Sequence, residues 1–101
     1  MIIYSVTIKI DLSAHNEWLK WMKEEHIPEV IEKGKFVGSK FHRVLNEDES
    51  DGVTYNVQFS VNSIGDYFEY RDNHAPELQQ KSLAKFSEKY VAFRTLLREV
   101  E

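Results

Sequence analysis

The sequence predicts a small α+β domain of β-α-β-β-α-β order, spanning residues 1–101 as one domain built from two similar halves. Two runs of alternating apolar residues, Ile2 to Ile10 and Val53 to Val61, mark strands with one face on a core. An amphipathic helical stripe follows each run. A His-x-Pro motif recurs 48 positions apart, at His26 and His74, inside both helical stretches.

In the first strand, Ile2, Tyr4, Val6, Ile8 and Ile10 share a face, with Ser5, Thr7 and Lys9 opposite. Asp11 and Ser13 offer capping oxygens. From Ala14 to Glu25, Trp18, Leu19, Trp21 and Met22 form the apolar stripe, and Glu17, Lys20, Lys23 and Glu24 point outward. His26-Ile27-Pro28 is expected to interrupt this helix, because proline disfavours the α conformation at the residue before it. A second helical piece is expected from Pro28 to Lys33, closed by Gly34 as a left-handed cap.

Phe36 to Leu45 reads as the second strand. The acidic stretch Asn46 to Gly52 ends in Asp51-Gly52, a turn signal, and leads into the third strand. Ser63 with Asp66 has the form of a helix cap, followed by Ile64, Tyr67 and Phe68. His74-Ala75-Pro76 is expected to break this helix before Leu78, Ser82 and Phe86 continue a helical face. Tyr90 to Arg98 is the last strand, with Val91, Phe93, Thr95 and Leu97 on one side. HIPEVIEKGKF at residues 26–36 and HAPELQQKSLAKF at 74–86 echo each other, as two β-α-β halves of a ferredoxin-like pseudo-twofold would.

Composition narrows the function classes. Hydrophobic residues are 42% and charged residues 30%, a globular balance. A net charge of -4 argues against nucleic acid, whose binding draws on Lys and Arg. In GVTYNVQF, Tyr55 and Phe59 fall on the face expected under the helices, unlike the base-stacking aromatics of RNA-recognition sheets. With no cysteine, thiolate metal sites and thiol nucleophiles are absent. His15, His26, His42 and His74 are too scattered to define a metal site, and no cofactor motif is present. No run is long enough to span a membrane, and the start lacks a signal-peptide pattern, so a cytoplasmic location is expected.

Four antiparallel strands with helices on one side leave the other sheet face open. On the two central strands that face should carry Ile3, Ser5, Thr7, Lys9, Thr54, Asn56, Gln58 and Ser60. These small, mostly uncharged side chains suit a covered surface, and a second copy of the chain is the economical partner. The expectation is a homodimer formed through this face.

His26 has two readings. A near-neutral imidazole can serve as general acid, base or ligand, and Trp18, Trp21, Tyr4 and Tyr55 can wall an apolar small-molecule pocket beside it. Alternatively its ring satisfies backbone groups at the helix break, a reading that the matching His74 favours. His42 and Arg43 on the second strand, with Arg94 on the last, can meet an anionic ligand or form salt bridges.

EWLKWMKEEHIPEV, together with GVTYNVQFSV, NHAPELQQK and KYVAFRTLLREV, resembles a bacterial family known only as domain of unknown function 4286, over essentially the whole chain. The resemblance implies a ferredoxin-like fold of the dimeric α+β barrel superfamily, with two sheets facing each other, and brings no activity. More loosely, an aromatic helix ending in His-x-Pro resembles the ethyl-tert-butyl-ether degradation proteins. Relatives of that group include cofactor-free monooxygenases, haem-degrading enzymes and isomerases. Haem-degrading relatives carry an Asn on the first strand, where this chain has Ser5 and Thr7. The function expected is therefore a small-molecule-binding or structural homodimer, with a cofactor-free monooxygenase- or isomerase-like enzyme as the alternative.

Overall fold

The computed structural model describes residues 1–101. The strands are β1 (Ile2–Asp11), β2 (Phe36–Arg43), β3 (Gly52–Val61) and β4 (Tyr90–Arg98). The helices are α1 (His15–Trp21), α2 (Ile27–Lys33), α3 (Ile64–Asn73) and α4 (Ala75–Phe86). The sheet runs β2-β3-β1-β4 with every neighbouring pair antiparallel. This is the expected β-α-β-β-α-β ferredoxin-like fold, with its helices on one face of the sheet. No helix is long and apolar enough to cross a membrane.

The alternation read in β1 and β3 places the core. Tyr4 faces Phe59, Val6 faces Val57, Ile8 faces Tyr55 and Ile10 faces Val53 across the central ladder. All eight are buried against Trp18, Met22, Val30, Tyr70, Leu78 and Phe86 from the helices. Ser63 caps α3, its Oγ accepting from the Asp66 amide at 3.1 Å. Asp11 caps the turn before α1 by accepting from the Ser13 amide at 2.8 Å, whereas Ser13 Oγ meets Lys89 Nζ instead.

The expected interruption before Pro28 does not occur. Residues Met22–His26 form a π-helical turn in which the Ile27 amide donates to the Met22 carbonyl, five residues back. Ile27 keeps helical angles, φ -60° and ψ -47°. The wider turn carries the chain past the carbonyl that a proline ring would strike in a regular α-helix. The second motif behaves as expected: His74 leaves the helical region at φ -128° and ψ -37°, separating α3 from α4.

Gly34 is not a left-handed cap. It is extended at φ -91° and ψ 177°, and its lack of a side chain answers a close approach. A Cβ there would meet the Phe36 ring at 2.5 Å and Tyr70 at 3.1 Å. The second strand also stops earlier than expected, at Arg43 rather than Leu45. Arg43 turns to the hairpin tip, donating from Nε and Nη2 to Glu49 at 3.0 and 2.7 Å.

On the open face, Asn56 Nδ2 donates to Ser5 Oγ at 2.9 Å and to Thr7 Oγ1 at 3.1 Å. These bonds knit the two central strands. Register puts Val91, Phe93, Thr95 and Leu97 of β4 beside Lys9, Thr7, Ser5 and Ile3 on that same face. Val91 is 69% exposed, Phe93 65% and Leu97 40%, so the face carries an apolar edge beside its polar centre.

Candidate functional site

A cleft lies between the helical layer and the β1–β4 side of the sheet. Tyr4, Val6 and Ile8 of β1 form its floor, with Val57 and Phe59 of β3. Trp18, Met22, His26 and Val30 close one side, and Leu78, Gln79 and Ser82 of α4 close the other. Tyr90, Ala92 and Arg94 of the edge strand line the mouth. The free volume is about 40 Å³, space for a few waters. A ligand of more than a few atoms therefore enters by moving one wall.

The π turn positions His26. Apolar contacts step four residues from Trp18 to Met22, then five from Met22 to Ile27, and the extra residue sets His26 against the cleft. Its imidazole lies on the Trp21 indole, with ring centroids 4.7 Å apart and planes at 22°. No side-chain hydrogen bond from His26 caps the helix, so the expected backbone-capping role is not what the ring does. Burial pushes its pKa down from 6.5 to about 4. Glu29 pulls the other way, while Arg94 and Lys81 add to the depression. The ring is a neutral imidazole at physiological pH.

Arg94 reaches inward from β4, donating from Nε to Tyr4 Oη at 3.2 Å. Burial raises the Tyr4 pKa against the lowering pull of Arg94. Tyr70, beside Tyr4 at 5.9 Å between ring centroids, is also raised by burial. The outer side is bridged by Lys81 Nζ on α4, which donates to Glu29 Oε2 on α2 at 2.8 Å.

The structure thus brings Tyr4, Trp18 and His26 together around one space. Trp21 stands behind His26, against Phe86. Tyr55 lies outside the cleft lining, packed on Trp18 and Phe41, with its Oη hydrogen-bonded to His15 Nε2 at 2.7 Å. His42 pairs in register with Asn56 of the open face, and Arg43 is held at the hairpin tip by Glu49. Of the three groups read as anion partners, only Arg94 lines the cleft. Tyr70, Gln79 and Tyr90 were not singled out from the sequence. The recurring Leu78-Ser82-Phe86 face pointed to the right helix but not to its neighbour Gln79. No cluster of His, Asp and Glu has a metal-binding arrangement.

The model of the family described as "Domain of unknown function (DUF4286)" matches residues 1–100. The chain belongs to the DUF4286 family. No curated protein matches it significantly. Among solved structures, an ethyl tert-butyl ether degradation family protein from Bacillus halodurans is similar at TM-score 0.69 and 9% identity, covering 99% of this chain and 100% of the other. A dimeric ferredoxin-like protein from an uncultured marine organism has TM-score 0.65 and 15% identity, covering 100% and 96%. A protein of antibiotic biosynthesis monooxygenase type from Deinococcus radiodurans has TM-score 0.67 and 12% identity, covering 100% and 94%. At these identities the likeness is one of fold, and this DUF4286 chain shares the ferredoxin-like architecture with all three.

Proposed function

We propose that this protein is a cytoplasmic homodimer, one domain per chain, that pairs through the open sheet face and binds a small molecule in each cleft. The observation that carries the binding reading is the mixed lining. A space with mainly apolar walls holds Gln79, Ser82, a neutral imidazole and a guanidinium that meets no carboxylate of its own chain within 4.0 Å. Apolar walls with a few converging polar groups are the general form of a ligand site. The pairing reading is supported by the exposed Val91, Phe93 and Leu97. Their burial against a second copy would also cover the Ser5–Asn56–Thr7 knot, whose hydrogen bonds are already satisfied within the chain. The dimeric ferredoxin-like neighbour supports the same assembly.

Native mass spectrometry of the purified protein tests both parts together. A species at twice 11.9 kDa carrying a co-purified small molecule is the expected result. A bare monomer at micromolar concentration overturns the pairing. Fractionation of cells expressing the tagged chain tests the location.

A second reading, a cofactor-free enzyme, is favoured by His26 itself. A ring facing the cleft and free of structural hydrogen bonds presents an unprotonated nitrogen to a bound substrate, at a basicity that its depressed pKa of about 4 keeps low. Turnover abolished by His26→Phe with ligand affinity retained is the expected outcome. Unchanged turnover would remove His26 from the chemistry.

A further inference from the structure

Arg43 and Arg71 each turn their guanidinium onto a carboxylate, Glu49 at 2.7 Å and Asp72 at 2.9 Å. Arg94 does not. Its Nε is engaged by Tyr4 Oη at 3.2 Å, and the two terminal nitrogens, Nη1 and Nη2, have no partner in the protein. Glu29, the carboxylate that acts on His26, is occupied by Lys81 at 2.8 Å. The mouth of the cleft therefore holds an exposed cation with no carboxylate partner in the chain, its planar fork oriented by a buried tyrosine. Tyr4 accepts from Nε, so its own O–H remains free to donate.

We propose that the ligand of this cleft is an apolar monocarboxylate, its two oxygens on the Nη1–Nη2 fork of Arg94. Its hydrocarbon part lies over Val57 and Phe59, between Trp18 and Leu78. The inference rests on reading the cleft as a ligand site, and names what that site takes. A planar two-oxygen anion matches two parallel N–H donors, which a point charge does not. A single negative charge is what one guanidinium neutralises. A dianion such as a phosphate monoester would bring a second charge into an apolar lining with no second free cation. The free volume of about 40 Å³ is smaller than such an acid, so only a compact one, one ring or a short chain, is admitted, and only as a wall shifts. That wall is α4. It begins at the His74 break and packs on the core through Leu78 and Phe86, while its outer side is tied by Lys81–Glu29 at 2.8 Å and Lys85–Glu17 at 3.8 Å, on partly exposed side chains. Such exposed pairs yield readily.

Calorimetric titration of the purified protein with phenylacetate and hexanoate, each against its neutral amide, tests the proposal. Chemical shifts of the Trp18 indole report whether the cleft is entered. Each acid is expected to bind at least about tenfold more tightly than its amide, the scale of a charge-assisted hydrogen-bond pair. In Arg94→Met the affinity for the acid should fall to that of the amide, while amide binding stays unchanged. Arg94→Lys, which keeps charge but loses the fork, should fall between. The wild-type comparison decides the matter even if a variant fails to fold. Equal binding of acid and amide, with Trp18 shifted, overturns the monocarboxylate and leaves the ligand site standing. No binding by any of the four probes, with Trp18 unmoved at millimolar concentration, overturns both.

Discussion

The imidazole of His26 lies flat on the indole of Trp21, 4.7 Å between ring centroids and 22° from parallel. The two residues are five apart in sequence and stack because the π turn between Met22 and His26 brings the second ring back over the first. Burial is the leading cause that keeps the ring neutral, with Arg94 and Lys81 adding to a depression that Glu29 opposes.

A pH prediction follows from the sign of that shift. The folded pKa, about 4, lies below the ordinary value of 6.5. Between these values the unfolded chain binds a proton that the folded chain refuses, so stability falls as pH falls through this window and levels off beneath it. The ceiling is about 3 kcal/mol, one pKa unit being about 1.4 kcal/mol, and the partial exposure of the ring keeps the loss under it. NMR titration should place the His26 midpoint near 4. His26→Phe, which preserves the stack, should flatten this part of the urea-denaturation pH profile relative to wild type. Glu29, Arg94 and Lys81 face the ring and are common to both proteins.

Gly34 and Gly65 should respond to alanine in opposite directions. At Gly34 the new methyl meets the Phe36 ring at 2.5 Å, and both Phe36 and the neighbouring Tyr70 are buried. Overpacking of this kind costs about 1–3 kcal/mol. Gly65, in the first turn of α3, has only Ser63 Oγ at 3.9 Å nearby. Alanine there should stabilise by up to about 1 kcal/mol through helix propensity. Thermal melts of the two variants check the pair.

On the proposed pairing through the open face, Phe93→Asp should give a folded monomer. Phe93 is 65% exposed in the isolated chain and pairs with Thr7 at the polar centre of the open face. A carboxylate placed twice across a two-fold interface adds repulsion and desolvation cost without touching the core. Light scattering should report the mass falling from twice 11.9 kDa to that value, with circular dichroism unchanged.

Leu78→Ala should destabilise far more than Lys81→Ala, though both lie on α4. Leu78 is 1% exposed and holds the helix to the core. Its truncation removes about 2–5 kcal/mol. Lys81 makes a bridge with its own side chain 50% exposed, and pairs of that kind contribute about 1 kcal/mol or less. Urea denaturation of both variants tests the order.

The strand phases, the Ser63 cap and the break at His74 were all legible in the residues, because each depends on contacts within a few positions along the chain. The π turn left a trace as well, in the five-residue step from Met22 to Ile27, but a proline rule applied locally reads that step as a break. Gly34 was recognisable as a position needing glycine. The reason was not, since Phe36 and Tyr70 crowd it from a neighbouring strand and a helix of the other half.

The sequence by itself determined the order of elements and which face of each strand is buried, since alternation at period two is a property of the strand alone. Only the tertiary structure decided which polar side chains share a space. His42, Arg43 and Arg94 look equivalent along the chain, yet one lies on the open face, one is tied to Glu49, and one lines the cleft. Arg94 meets Tyr4 across 90 positions of sequence, through the antiparallel pairing of β1 with β4. Local pattern carries no information about such a meeting, because strand pairing, not side-chain chemistry, brings the two together.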